Sequence, residues 1–181
     1  MRKLAHLEIP RPSAGAVADL PRVPIRVITD DVRSAHNVGA ILRTSDAFRL
    51  ERVVLCGISP SADQRAVRKT SLGAEETVPW EQGMSVLEAV ETARAEGYKV
   101  AALELTDTPT LIHQAPASAF PLALVVGNEV DGVSDEVIAA CDLALEIPQW
   151  GAKQSLNVSV AFGIAAHALT RSFLDHHPDF L

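Results

Sequence analysis

The amino-acid sequence predicts an α/β protein built on a mostly parallel sheet flanked by helices. Strand-like and helix-like segments alternate from about Pro24 onward, the strand-like segments are near-continuous apolar runs, and no internal repeat is visible. Strands apolar along their whole length belong to sheets covered by helices on both faces, whereas a sheet with one wet face alternates apolar and polar residues. With 181 residues, 48% of them hydrophobic, the chain suits a single domain with a sizeable core. Residues 1–23 read as an irregular arm and 24–181 as the domain.

Taken in order, the arm carries Pro10, Pro12 and Pro21 among small residues with no sustained period. Residues 25–28 read as the first strand and 37–48 as a helix with Ala40, Ile41, Thr44 and Phe48 on one side. A second strand at 53–56 precedes a helix at 85–96, where Val86, Leu87, Val90 and Ala93 recur at helical spacing before Gly97 stops it. Further strands are expected at 99–105, 121–126 and 143–147. Between the last two, Ser134 is placed to cap a short helix whose first turn holds Asp135 and Glu136. A long helix from about Ser155 follows.

Composition excludes several classes. No run of roughly 18 uncharged apolar residues occurs and the start, Met1-Arg2-Lys3-Leu4-Ala5-His6, has no secretory pattern, so a soluble cytoplasmic protein without membrane contact is expected. Cys56 and Cys141 lack the paired spacing of a zinc site and read as core thiols. His36 and His113 are isolated and His176-His177 sit in a polar tail, so no catalytic metal is expected. The net charge of −7 weighs against non-specific nucleic-acid binding, which needs clustered cations. Two clusters nevertheless exist, Arg2, Lys3, Arg11, Arg22 and Arg26 in the first segment and Arg65, Arg68 and Lys69 later, leaving room for a local basic face.

Three segments carry candidate chemistry. In the helix at 37–48, polar Asn37, Arg43 and Asp46 interrupt apolar positions; on spacing alone Arg43 reads as a solvated face or a partner of Asp46. At 124–134 a strand runs into the turn Gly127-Asn128-Glu129-Val130-Asp131-Gly132. Ligands of open α/β sheets sit beyond such strand ends, and glycine permits close backbone approach, although turns also carry glycine for structural reasons. Neither a G-x-x-x-x-G-K-[ST] loop, nor G-x-G-x-x-G after a strand, nor G-x-S-x-G is present, which removes the usual support for kinase, dehydrogenase and hydrolase readings. The third segment, 147–161, leads from a strand end through a loop into the last helix. There Ser155, Asn157 and Ser159 are cap candidates, and Asn157 between Leu156 and Val158 suits a polar task better than packing.

Together with Lys69-Thr70-Ser71-Leu72-Gly73-Ala74-Glu75 and Val78-Pro79-Trp80 between the first two, these segments resemble the signature motifs of the SpoU/TrmH family of SPOUT methyltransferases, over about residues 24–171. The resemblance implies a C-terminal portion threaded into a deep trefoil knot, a topology that general connection rules treat as exceptional. It implies S-adenosylmethionine held in a bent shape by Gly127, Asn128, Ile147 and Leu156, largely through backbone groups, with Leu103 flanking the adenine. The reaction it implies is methyl transfer to a ribose 2′-hydroxyl of RNA, either tRNA or rRNA, with no metal.

Arg43 is then the residue nearest the reacting ribose. A guanidinium titrates above about 12 and is a poor general base, so clamping a phosphate and stabilising a developing 2′-alkoxide is the preferred role. The proton passes to an RNA phosphate oxygen or to the arginine itself. Ser155 and Asn157 position substrate and cofactor, Asn37 orients the nucleotide, and Glu129 anchors Arg43 or braces the cofactor loop. The resemblance also implies a homodimer with the last helix in the interface and Arg43 serving the partner's cofactor. Two positions depart from the family pattern: Arg49, where glycine commonly ends the helix and where a phosphate contact is expected instead, and Gln149-Trp150, which alters the pocket lining or the dimer seam. Without the separate N-terminal RNA-binding domain of many relatives, substrate selection is expected to rest on the arm, the core or a protein partner. A non-enzymatic RNA-binding module, suggested by the acidic charge, and a knotted methyltransferase acting on a base nitrogen are the competing readings.

Overall fold

The computed structural model describes residues 1–5, 8–9, 12–153 and 155–180. His6, Pro10, Arg11 and Gln154, which figure in the sequence reading, lie outside the described residues. Seven strands, β1 Val23–Thr29, β2 Leu50–Leu55, β3 Trp80–Gln82, β4 Lys99–Leu103, β5 Thr110–Leu111, β6 Leu122–Val126 and β7 Leu143–Glu146, form one sheet in the order β3-β2-β1-β6-β4-β7-β5. Their ladders are parallel, so the carboxyl ends of all the strands share one edge of the sheet. An isolated antiparallel bridge joins Asn128 to Gly132 beyond β6.

Helices cover both faces, as the apolar strand runs require. The helices are α1 Ala14–Ala18, α2 Ala35–Ala47, α3 Arg65–Ser71, α4 Val86–Ala95, α5 Asp135–Ala139 and α6 Val158–His176. In β1, Ile25 and Val27 join Ile41 and Leu42 of α2 and Phe162, Ala165 and Leu169 of α6 in one core, while Ile28 joins Ala89, Val90 and Ala93 of α4 in the other. Every residue of β6 is buried, because this strand lies in mid-sheet between β1 and β4. Gly39 lets α2 and α3 cross closely: a Cβ there would stand 2.6 Å from the Val67 carbonyl oxygen. Among the described residues no helix is long and apolar enough to cross a membrane.

Several expectations shift in detail. Within the segment read as irregular, Ser13 caps a five-residue helix by accepting from the Ala16 amide, a stretch too short to reveal a period. The last helix starts at Val158 rather than near Ser155, because the Asn157 side chain accepts from the Ser159 and Val160 amides and closes the first turn. The helix predicted from 37 begins at Ala35, capped by Ser34. Strand β4 stops at Leu103, two residues before the end predicted at 105.

Of the first basic cluster, Arg26, Arg22 and Arg2 are engaged within the chain. Arg26 is buried in β1, where it donates to Glu51 at 3.0 Å and Glu96 at 2.6 Å and lies 4.4 Å from the Tyr98 ring centre. Arg22 donates to the backbone carbonyls of Leu50 and Thr77, and Arg2 pairs with Glu8. Cys56 is buried and Cys141 half-buried, and burial pushes their thiols up to about 12 and about 11. At such values little thiolate forms near neutral pH.

Arg49 follows the end of α2 with φ 49°, the left-handed conformation that glycine commonly supplies. A side chain there costs about 1–2 kcal/mol. Its guanidinium lies over the Phe180 ring, 6.0 Å from the centre, a contact that returns about 0.5–1 kcal/mol. Arg49→Gly is therefore expected to raise the melting midpoint by ~2 °C, measured by calorimetry, given ~2–4 °C per kcal/mol for a chain of this size. A lower midpoint would show that the ring contact outweighs the strain.

Candidate active site

A pocket of about 560 Å³ opens at the shared carboxyl edge of the sheet. This volume suits one small organic ligand. Its walls come from the ends of β4 and β7, the turn after β6, and the residues leading into α6. Leu103, Gly127, Asn128, Ile147 and Leu156 all line it, together with Glu129, Ser155 and Asn157. Chain segments more than 50 residues apart thus converge where doubly wound sheets place their ligands.

The turn after β6 is held by its own backbone. The Asn128 and Gly132 amides each donate to the other's carbonyl, at 3.1 and 3.2 Å, while Asn128 Oδ1 accepts from the Val130 and Asp131 amides at 2.8 and 2.9 Å. With its side-chain oxygen so engaged, Asn128 offers the pocket mainly backbone. Gly127 is required by proximity: a Cβ there would lie 2.0 Å from the Gly132 carbonyl carbon. Gly132 has φ 71°, and a Cβ on it would meet the Glu104 carboxylate at 2.2 Å.

Glu104 went unnoticed in the sequence. Its carboxylate accepts from the Val133 amide at 3.0 Å and the Leu105 amide at 2.8 Å, tying the end of β4 to the turn after β6, and it lines the pocket. An acidic residue one position beyond an apolar strand was the available signal. Gln149, one of the two departing residues, also lines the pocket, whereas its neighbour Trp150 is 92% exposed.

A polar relay crosses from the turn to two helices. Glu129 accepts from the Arg33 and Ser34 amides, both at 3.1 Å, and from Asn37 Nδ2 at 2.6 Å. Asn37 Oδ1 in turn accepts from Asn157 Nδ2 at 3.2 Å. Asn37 is buried and so is fixed between a carboxylate and a second amide, with its own amide orientation dictated by both. The Glu129 carboxylate is engaged by the start of α2 and makes no contact with Arg43. A negative charge beside the amino end of a helix also complements the helix dipole.

Although partial desolvation works the other way, hydrogen bonds from Asn37 and the Arg33 and Ser34 amides hold the Glu129 carboxyl below its ordinary value of 4.5. A carboxyl lowered on folding stabilises the native state above its unfolded value and loses that contribution as pH falls through the folded value. The difference in melting midpoint between the native chain and Glu129→Gln should accordingly be full near pH 7 and shrink below about pH 4. A difference that persists unchanged to pH 2 would remove the assigned charge role.

Arg43 and Arg49 stand outside this assembly. Arg43 is exposed on α2, is not among the pocket-lining residues, and makes no side-chain hydrogen bond or ion pair among the described residues. It does not pair with Asp46, whose carboxylate accepts from Thr77 at 2.6 Å. Arg49, at the far end of α2, lies over the Phe180 ring and does not line the pocket. The structure therefore gathers the residues expected to hold a cofactor with Ser155, Asn157, Glu129 and Asn37, and leaves the two arginines apart from them within one chain.

The model of the SpoU rRNA Methylase family matches residues 24–167. The 23S rRNA (guanosine-2′-O-)-methyltransferase RlmB of Neisseria meningitidis serogroup B is 31% identical over 147 residues, covering 81% of this chain and 58% of that protein. The RlmB of Vibrio parahaemolyticus is 33% identical over 153 residues, covering 83% of this chain and 60% of that one. Among solved structures, the TrmH/SpoU tRNA modifying enzyme of A. aeolicus superimposes with a TM-score of 0.78 at 27% identity, covering 89% of this chain and 81% of that chain. The chain spans less than two thirds of the length of these curated relatives. With the fold and the matched segment agreeing over four fifths of its residues, the chain belongs to the SpoU rRNA methylase family.

Proposed function

We propose that this protein transfers a methyl group from S-adenosylmethionine to a ribose 2′-hydroxyl of RNA, tRNA or rRNA. The observation that carries the reading is the convergence of Leu103, Gly127, Asn128, Ile147 and Leu156 on one pocket, with Asn157 hydrogen-bonded to Asn37 at its edge. The relatives named 2′-O-methyltransferases support the acceptor atom.

The residues present fit this cofactor. Leu103, Ile147 and Leu156 offer apolar walls for a flat heterocycle, the close Gly127–Gly132 approach keeps the turn free of side chains there, and Glu104 supplies an acceptor for hydroxyl or ammonium groups. When bound, the sulfonium supplies an already activated methyl group. Alignment of donor and acceptor is then the protein's main contribution, and correct placement can account for several kcal/mol of a reaction barrier. Asn157, with its oxygen spent on the α6 amides, directs its amide N–H toward Asn37, and Ser155 has its hydroxyl free at the pocket wall among the described residues. Both are placed to orient the ribose. The Arg43 guanidinium stabilises negative charge developing on the 2′-oxygen and on a neighbouring phosphate.

Arg43 meets such a site most simply across a two-fold dimer. Val160 and Ile164, 51% and 41% exposed and one turn apart on α6, supply apolar surface for that contact, on a helix that packs beside α2. Threading of the segment around α6 into a trefoil knot, and a cytoplasmic location alongside the RNA substrate, complete the reading. Incubation of purified protein with methyl-labelled S-adenosylmethionine and total RNA lacking the modification, followed by nucleoside analysis, tests it. A labelled 2′-O-methylnucleoside is expected; label on a base nitrogen, or none despite cofactor binding, would overturn it.

A further inference from the structure

Although the chain carries a net charge of −7, its carboxylates are not spread evenly over its cations. Arg33 pairs with Asp131, Arg52 with Glu81, Arg94 with Asp142 and Arg171 with Asp175. Among the described residues, the exposed cations on helices without a carboxylate within 4.0 Å are Arg43 on α2 and Arg65 and Lys69 on α3. Outside the helices, Lys99 stands at the opposite, amino edge of the sheet, Lys153 lies in the loop before α6 and Lys3 near the amino terminus.

Arg65 and Lys69, four residues apart, share the exposed face of α3, which packs beside the helix α2 that carries Arg43. Gly39 puts α2 against Val67, Thr70 and Ser71 of α3, and Arg43 follows Gly39 by four residues, so it emerges on nearly the same side of α2 about one turn, or ~6 Å, further along. Asp63, two residues before Arg65, is exposed and forms no ion pair with it, and Glu75, beyond the end of α3, accepts from Ser71 at 2.5 Å and pairs with Arg68 at 3.6 Å. Helix propensity does not explain Arg65, which sits in the first turn of α3, where a positive charge opposes the helix dipole. A cation placed against the dipole and left unpaired suits an anion supplied from outside.

We infer that the exposed face of α3, through Arg65 and Lys69, is a phosphate track that guides the RNA backbone to Arg43. The inference rests on the proposed RNA methyltransferase activity and adds where the polyanion lies. It reconciles an acidic protein with a polyanionic substrate: carboxylates pair the other exposed arginines of the helices and leave this stripe unpaired, where each contacted phosphate releases counterions on binding.

The test measures binding of radiolabelled total RNA by the full-length protein against salt concentration, with cofactor affinity measured in parallel. The double variant Arg65→Ala/Lys69→Ala should bind several-fold more weakly and flatten the plot of log K against log salt by ~1.4, the sum of two single-strand phosphate contacts. Lys99→Ala should leave the slope as in the native chain, and cofactor affinity should hold in both. If alanine lowers the melting midpoint, Arg65→Gln/Lys69→Gln gives the same reading with more of the side chain kept. An unchanged slope in the double variant, or an equal flattening by Lys99→Ala, overturns the track. A native chain that binds and methylates no RNA overturns instead the activity on which it rests.

Discussion

Arg43→Ala is expected to lower methyl transfer by about 10²–10³-fold, the usual consequence of removing one preorganised group that stabilises developing negative charge. The melting midpoint and the affinity for S-adenosylmethionine should stay as they are. Arg43 has no intramolecular partner among the described residues and lies outside the pocket, so its removal leaves no buried group unsatisfied. Arg43→Lys should rescue little, since an ammonium cannot present the planar pair of donors that engages a phosphate or alkoxide. Mixing extends the test. If Arg43 acts on the pocket of a second copy, co-refolding Arg43→Ala with an inactive pocket variant creates heterodimers in which one site has both native components. Activity should reappear in the mixture, and its absence would assign Arg43 to its own chain's pocket.

Gly127→Ala supplies that pocket variant and has the second large effect. A single Cβ would fall 2.0 Å from the Gly132 carbonyl carbon and 2.2 Å from the Val133 amide nitrogen. These are backbone atoms with no rotamer to yield, so the turn must open and break the reciprocal Asn128–Gly132 hydrogen bonds. Overpacking of this kind costs about 1–3 kcal/mol. Because the displaced turn is the pocket wall itself, cofactor affinity should fall by well over tenfold, read by calorimetric titration. Affinity within twofold of the native chain would show that this turn does not shape the cofactor site.

The contrast between these positions follows what a sequence can disclose. Gly127 was legible as a turn glycine after an apolar strand, but only the structure shows that proximity, rather than a positive φ, requires it. Asn157 stood out as a polar residue between Leu156 and Val158; its second contact, to Asn37, spans 120 residues and has no local sign. Arg26 reads as one more cation of a basic segment and is instead buried between Glu51 and Glu96, because even-numbered β1 positions face the α4 side. The helix Arg65–Ser71 and the strands Trp80–Gln82 and Thr110–Leu111 are too short to show a period, and the first of these is polar on most of its surface.

By itself the sequence determined the α/β class, the order of the long strands and helices, and the three motifs whose resemblance names a family. These are local properties, set by apolar periodicity and by residue types within a dozen positions of one another. Tertiary structure alone decided the strand order, which inserts β6 between β1 and β4, and with it the meeting of Leu103, Gly127, Ile147 and Leu156 at one edge. It also decided that Glu129 meets the start of α2 while Arg43 is left exposed. Such contacts join residues far apart in the chain, and their partners are selected by packing of the whole sheet against its helices rather than by any neighbouring residue.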